Sequence, residues 1–274
     1  MASRIHGPLY FERAGRTGPG MAFVHPNPMD ASCWMFQMAH FSTWYRCVAV
    51  DLPGYGRSPA ADPGLTMDDL AEACWQAIDD AVPDGPAVLV GCSVGAAIVP
   101  FMYRQQPQRT AAMVLTGSGY LSEAARPVLL SRIDAYAERG ADFRWAYTFE
   151  DFSAAFQSSP TAHYFATMFA ERNDLVDVPT VMDMYRALVQ PVPDDMYDMH
   201  CPALVVGGSE DAAVTTGAAA ELARRIAGSD YSVIPGAGHA CYIEQPGLFD
   251  RIVLEFLERH ELLPERGAGN GKSG

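Results

Sequence analysis

The chain has 274 residues, 49% hydrophobic and 19% charged, with 19 Lys and Arg against 33 Asp and Glu for a formal charge of −14. That length suits one large domain or a core with an inserted lobe, and the composition excludes bulk disorder. The acidic balance repels phosphate backbones and anionic lipid, which argues against nucleic acid or a membrane surface as partner.

Leu9–Arg13 and Met21–His25 are short strand-like runs on either side of the turn-rich segment 14–20, the pattern of an N-terminal hairpin. Further apolar runs follow at Cys47–Asp51, Ala87–Gly91, Ala112–Thr116, Ala203–Gly207 and Tyr231–Pro235. Their hydrophobicity is continuous rather than alternating, which implies burial on both faces of a mostly parallel central sheet. Helical periodicity fills the gaps: Met67–Ala81 places Leu70, Cys74, Ala77, Ile78 and Ala81 on one stripe, Ala218–Ile226 repeats the idea, and Phe249–Leu262 reads as a closing amphipathic helix. Strand alternating with helix is the α/β class.

Residues 120–198 break the alternation. They hold no strand pattern but many helix-compatible stretches rich in aromatic residues and methionine, and are expected to form an inserted helical cap. The α/β core is then built from 1–119 and 199–263, and 264–274 offers no apolar anchor and reads as a flexible tail. Cys33, Cys47, Cys74, Cys92, Cys201 and Cys241 show neither a Cys-x-x-Cys pair nor a zinc spacing, so they are read as apolar fillers. With no signal-peptide pattern and no run near the ~20 apolar residues of a membrane span, a cytoplasmic location is expected.

One constellation carries chemistry. Gly91-Cys92-Ser93-Val94-Gly95 follows an apolar run and precedes a plausible helix start, so Ser93 sits on a sharp strand-to-helix turn. A serine hydroxyl is a poor nucleophile at neutral pH. It needs a neighbouring base and gains from a helix N-terminus that favours developing negative charge. His239, in Gly236-Ala237-Gly238-His239 just past the last apolar run, is the expected base. The run at Ala203–Gly207 ends near two carboxylates, Glu210 and Asp211. Asp211 is taken as the acid that accepts the second imidazole N–H and fixes the tautomer.

The order Ser93, Asp211, His239 and the motifs around it make the chain resemble the α/β-hydrolase superfamily from Leu9 to about Leu263. Asp51-Leu52-Pro53-Gly54-Tyr55-Gly56-Arg57-Ser58 is similar to the family's Asp-x-Pro-Gly-x-Gly-x-Ser turn, with Asp51 and Ser58 read as loop-fixing. His239 with trailing Glu244 and Pro246 resembles its histidine loop. The resemblance implies an α/β-hydrolase fold with helices on both faces of the sheet. Its oxyanion loop usually reads His-Gly-x, whereas this sequence has His25-Pro26-Asn27-Pro28. Proline has no N–H, so Asn27 is left to supply a backbone donor beside that of Val94. Relatives such as haloalkane dehalogenases and epoxide hydrolases place aspartate at the elbow, and dienelactone hydrolases place cysteine there. Serine implies acyl transfer followed by hydrolysis.

The expected activity is therefore cleavage of a small, largely apolar carboxylic ester through an acyl-enzyme on Ser93, with Trp34, Tyr120 and Trp145 as candidate pocket walls. The route requires no metal or organic cofactor. The expected partner is a small-molecule substrate, and a homodimer is left open. The same triad and cap serve C–C bond, lactone and amide hydrolases, and a hydrolase-like ligand receptor is the alternative outside enzymes.

Overall fold

The protein is described from a computed structural model covering residues 3–119, 126–139, 151–193, 195–214 and 216–264. Seven strands form one sheet: β1 (Phe11–Ala14), β2 (Gly20–Val24), β3 (Arg46–Val50), β4 (Ala87–Cys92), β5 (Thr110–Thr116), β6 (Ala203–Gly208) and β7 (Asp230–Ile234). Their spatial order is β1-β3-β2-β4-β5-β6-β7. Every neighbouring pair is parallel except β1 with β3. Strands β2, β4 and β6 are buried along their whole length, which is why their sequences read as unbroken apolar runs.

The first two strands do not form the expected hairpin. β2 has both edges occupied, by β3 and β4, so β1 pairs with β3 instead. The connecting loop crosses the approach to β3 closely enough that a Cβ on Gly15 would lie 2.1 Å from the Tyr45 carbonyl oxygen and one on Gly18 1.9 Å from that of Trp44. The turn residues that suggested a hairpin serve this crossing.

The helices are α1 (Met35–Phe41), α2 (Met67–Ala81), α3 (Val94–Gln105), α4 (Arg126–Arg139), α5 (Ala154–Gln157), α6 (Pro160–Asn173), α7 (Val178–Leu188), α8 (Thr216–Arg225), α9 (Cys241–Glu244) and α10 (Pro246–Arg259). The start of α2 is fixed by a reciprocal capping box, in which the Thr66 hydroxyl accepts the Asp69 N–H and the Asp69 carboxylate accepts the Thr66 N–H. Leu70, Trp75 and Ile78 of α2 and Ile98 of α3 pack on one face of the sheet with Val24, Val48 and Leu89. Phe41 of α1 and Phe249, Val253 and Phe256 of α10 pack on the other with Phe23, Val90 and Val114. None of the described helices is long and apolar enough to cross a membrane.

Between β5 and β6 the regular structure among the described residues is entirely helical. Two of these helices are tied by polar contacts to the loops that follow β3 and β2. The Asp183 carboxylate of α7 accepts the N–H groups of Gly64 and Leu65 at 2.7 and 2.6 Å. From α6, Arg172 donates to both carboxylate oxygens of Asp30 at 2.8 Å. Phe165 and Phe169 of α6 are fully buried, so these two aromatic residues serve packing.

Candidate active site

Ser93 occupies the junction of β4 and α3 with φ 53° and ψ −113°. A non-glycine residue in that region carries roughly 1–3 kcal/mol of backbone strain, so the surroundings must enforce it. They do so with two hydrogen bonds of 3.0 Å: the Ser93 N–H donates to the Thr116 carbonyl at the end of β5, and the Ala97 N–H donates to the Ser93 carbonyl. The flanking glycines have a steric reason. A Cβ on Gly91 would lie 2.5 Å from the Gly95 carbonyl oxygen, and one on Gly95 would lie 2.2 Å from that of Val24. Gly95→Ala must therefore push α3 away from β2, with an expected loss of about 3 kcal/mol. Urea denaturation checks this, and an unchanged midpoint would contradict the packing.

The histidine loop follows β7. His239 is 97% buried at its side chain and its Nδ1 lies 2.9 Å from Asp211 Oδ2. A carboxylate only accepts, so Nδ1 is the protonated nitrogen of this contact. The other carboxylate oxygen of Asp211 accepts the N–H groups of Ala213 and Val214 at 2.9 and 2.7 Å, which pins it after β6. Glu210, the neighbouring carboxylate, is exposed. The imidazole passes close to the end of β5: a Cβ on Gly117 would sit 2.8 Å from His239 Cε1 and 3.1 Å from Cys92 Sγ. Gly117 follows Thr116, the residue that holds the Ser93 N–H, so the ring lies at the elbow.

Sequence reasoning noticed Glu244 only as part of a resemblance and missed its work. Its two oxygens accept the N–H of Gly238 at 2.9 Å and of Ser153 at 3.2 Å. The His239 N–H in turn donates to the Asp151 carbonyl at 2.8 Å. A Cβ on Gly238 would strike this 151–153 segment at 2.5 Å from the Ser153 nitrogen. The small residues before His239 thus make room for a strap as well as for the ring. Burial raises the Glu244 carboxyl above its usual range, against the pull of the hydrogen bonds from Ser153 and Gly238. No local pattern announces this clamp, because its partners are about ninety residues apart.

Asn27 is 4% exposed, and among the described residues neither polar atom of its side chain has a hydrogen-bond partner. Buried polar groups are ordinarily paired, so the Asn27 amide stands out in this loop. The loop that carries Asn27 is rigidly framed. His25 is wholly buried, donates from Nδ1 to the Pro26 carbonyl and accepts the Leu52 N–H at Nε2. Burial lowers its pKa, although Asp51 opposes this, and with both nitrogens committed it acts as a strut. Asp51 accepts the N–H groups of Ala31 and Arg57, and Ser58 links the Asp51 carbonyl to the Tyr10 N–H. These two residues fix the loop.

Cys92 is fully buried and burial pushes its thiol well above the ordinary value, so it packs rather than reacts. Trp34 is corrected from pocket wall to core. Its ring has no exposed surface, stacks on Tyr242 with centroids 4.1 Å apart, and lies 5.4 Å from Phe23. The single helical turn Ala31–Trp34, which follows the 25–28 loop, turns it inward. Tyr120 and Trp145 lie outside the described residues.

A curated relative from Pseudomonas putida, the dihydrolipoyllysine-residue acetyltransferase component of an acetoin cleaving system, is 28% identical over 92% of the chain. The chain spans 66% of that protein's length. An (E)-2-((N-methylformamido)methylene)succinate hydrolase from Acinetobacter baylyi is 25% identical, with 91% of this chain and 93% of that one aligned. Among solved structures, a thermophilic esterase from Thermogutta terrifontis superimposes with a TM-score of 0.79 at 24% identity, covering 92% of this chain and 93% of its own. At that identity the likeness concerns the fold. Residues 21–252 match the sequence model of the alpha/beta hydrolase family, which takes in six of the seven strands, the Ser93 elbow, Asp211 and His239, and the chain belongs to that family.

Proposed function

We propose that the protein is a serine hydrolase that cleaves a small, largely apolar carboxylic ester through an acyl-enzyme on Ser93. The observation that carries the reading is the Asp211–His239 contact of 2.9 Å beside the strained Ser93 turn. With Nδ1 protonated against Asp211, Nε2 is the ring's proton acceptor. It takes the Ser93 proton as Oγ attacks the acyl carbon. The resulting oxyanion is held by the backbone N–H groups of Asn27 and Val94, the second standing at the first residue of α3 where the helix dipole favours negative charge. The imidazolium returns the proton to the departing alcohol, and water then repeats the sequence on the acyl-enzyme to release the acid. In this reading residues 120–198 form the helical cap that encloses the substrate.

The relative from A. baylyi is named for a substrate that is not an ester, so the test is a panel of aryl esters, lactones and amides under pre-steady-state conditions. A p-nitrophenyl ester should give a burst of about one equivalent of phenolate, and mass spectrometry of the quenched enzyme should find the acyl group on the Ser93 peptide. Turnover of every substrate with neither burst nor adduct would overturn the acyl-enzyme.

A further inference from the structure

A cavity of about 280 Å³ runs beside α3, close to the lower end of ligand-pocket sizes. Ala97, Pro100 and Phe101 form one wall, Met67 and Leu188 another, and Arg126 of the first turn of α4 joins them. The lining comes within one helical turn of the elbow. Its lining residue Ala97 donates its N–H to the Ser93 carbonyl, and Gly119, also in the lining, lies three residues beyond the Thr116 carbonyl that accepts the Ser93 N–H. From Ser93 to Phe101 the helix advances about 12 Å.

Most of this lining is apolar, yet Arg126 brings a guanidinium to it. The Arg126 Nε is buried without a hydrogen-bond partner, and among the described residues no carboxylate pairs with this side chain. Arginine's planar fork is suited to carboxylate, and a buried N–H with no partner among the described residues can donate to one. Asp68 also contributes to the lining, but it is exposed and its Oδ1 faces the Gln105 amide at 3.5 Å. The less screened charge is that of Arg126.

We propose that this cavity receives the acyl chain of an ester whose far end carries a carboxylate, and that the Arg126 guanidinium binds that carboxylate. The substrate class is then the monoesters of short dicarboxylic acids. The proposal rests on the serine-hydrolase reading for its chemistry but not for its binding site. Arg126 is a specificity residue, remote from the reacting atoms.

The experiment compares mono-p-nitrophenyl adipate and suberate with p-nitrophenyl hexanoate and octanoate, for the native protein and Arg126→Met. The native protein is expected to favour the carboxylated member of each pair by about tenfold or more in kcat/KM, expressed through KM. Arg126→Met should collapse that ratio, and Arg126→Lys should restore part of it. A native protein without the preference, or a preference that survives Arg126→Met, would overturn the assignment. Calorimetric binding of adipate to Ser93→Ala, with and without Arg126→Met, separates the two readings. Should no ester acylate Ser93, the hydrolase reading fails, while Arg126-dependent adipate binding still supports the pocket and its absence removes it.

Discussion

Ser93→Ala is expected to lower ester hydrolysis by about 10⁶-fold, the loss seen when a nucleophilic serine is deleted from such a triad, and to abolish labelling by a fluorophosphonate probe. The change removes one oxygen and leaves the rest of the machinery standing. His239 keeps its contact with Asp211, and the two hydrogen bonds that hold the elbow use only the Ser93 backbone. Alanine at φ 53° is strained in the same way as serine, so far-UV circular dichroism and the urea midpoint should stay near those of the native protein. The neighbouring thiol offers no substitute, since Cys92 is wholly buried and burial keeps it protonated. Residual catalysis above water is expected from the oxyanion donors alone. Undiminished labelling, or a loss of activity below about a hundredfold, would remove Ser93 from the role of nucleophile.

The parts of this molecule that were legible in the sequence are those whose cause is local. Each of the seven strand-like runs is a strand within two residues of its expected limits. β2, β4 and β6 read as unbroken apolar runs because a strand buried on both faces has to be apolar throughout, whereas the edge strands β1 and β7 are only partly buried. The α2 boundaries coincide with the periodic stripe because Thr66 and Asp69 cap it. Asp211 was separable from Glu210 only weakly in sequence, where they are adjacent. In space one is buried against His239 and the other faces solvent. What stayed illegible depends on which distant segments meet. The pairing of β1 with β3 follows from the central place of β2, and the Glu244 clamp joins the histidine loop to Ser153. Trp34 looked like a wall because of its nearness in sequence to the His25–Pro28 loop, yet it stacks on Tyr242, more than two hundred residues away. The Arg126 Nε, which has no partner among the described residues, is of the same kind, since a sequence shows the charge but not its surroundings.

Asp211→Asn isolates the electrostatic part of the site from its geometry. The two side chains have nearly the same shape, and the native carboxylate accepts three hydrogen bonds: two from the N–H groups of Ala213 and Val214 at one oxygen, and one from His239 at the other. An asparagine has one acceptor oxygen, and the two backbone donors claim it. Its NH₂ is then turned toward His239 Nδ1, where two donors would meet unless the imidazole moves its proton to Nε2. A ring protonated at Nε2 can no longer accept from Ser93. The expected loss in kcat is about 10⁴-fold, with rates of fluorophosphonate labelling falling in parallel and the urea midpoint little changed. Glu210→Gln, altering an exposed carboxylate one residue away, should leave the rate within about twofold. If Asp211→Asn instead retained activity within tenfold, the Asp211–His239 contact would be a structural tie, and the base that activates Ser93 would have to be oriented by another group.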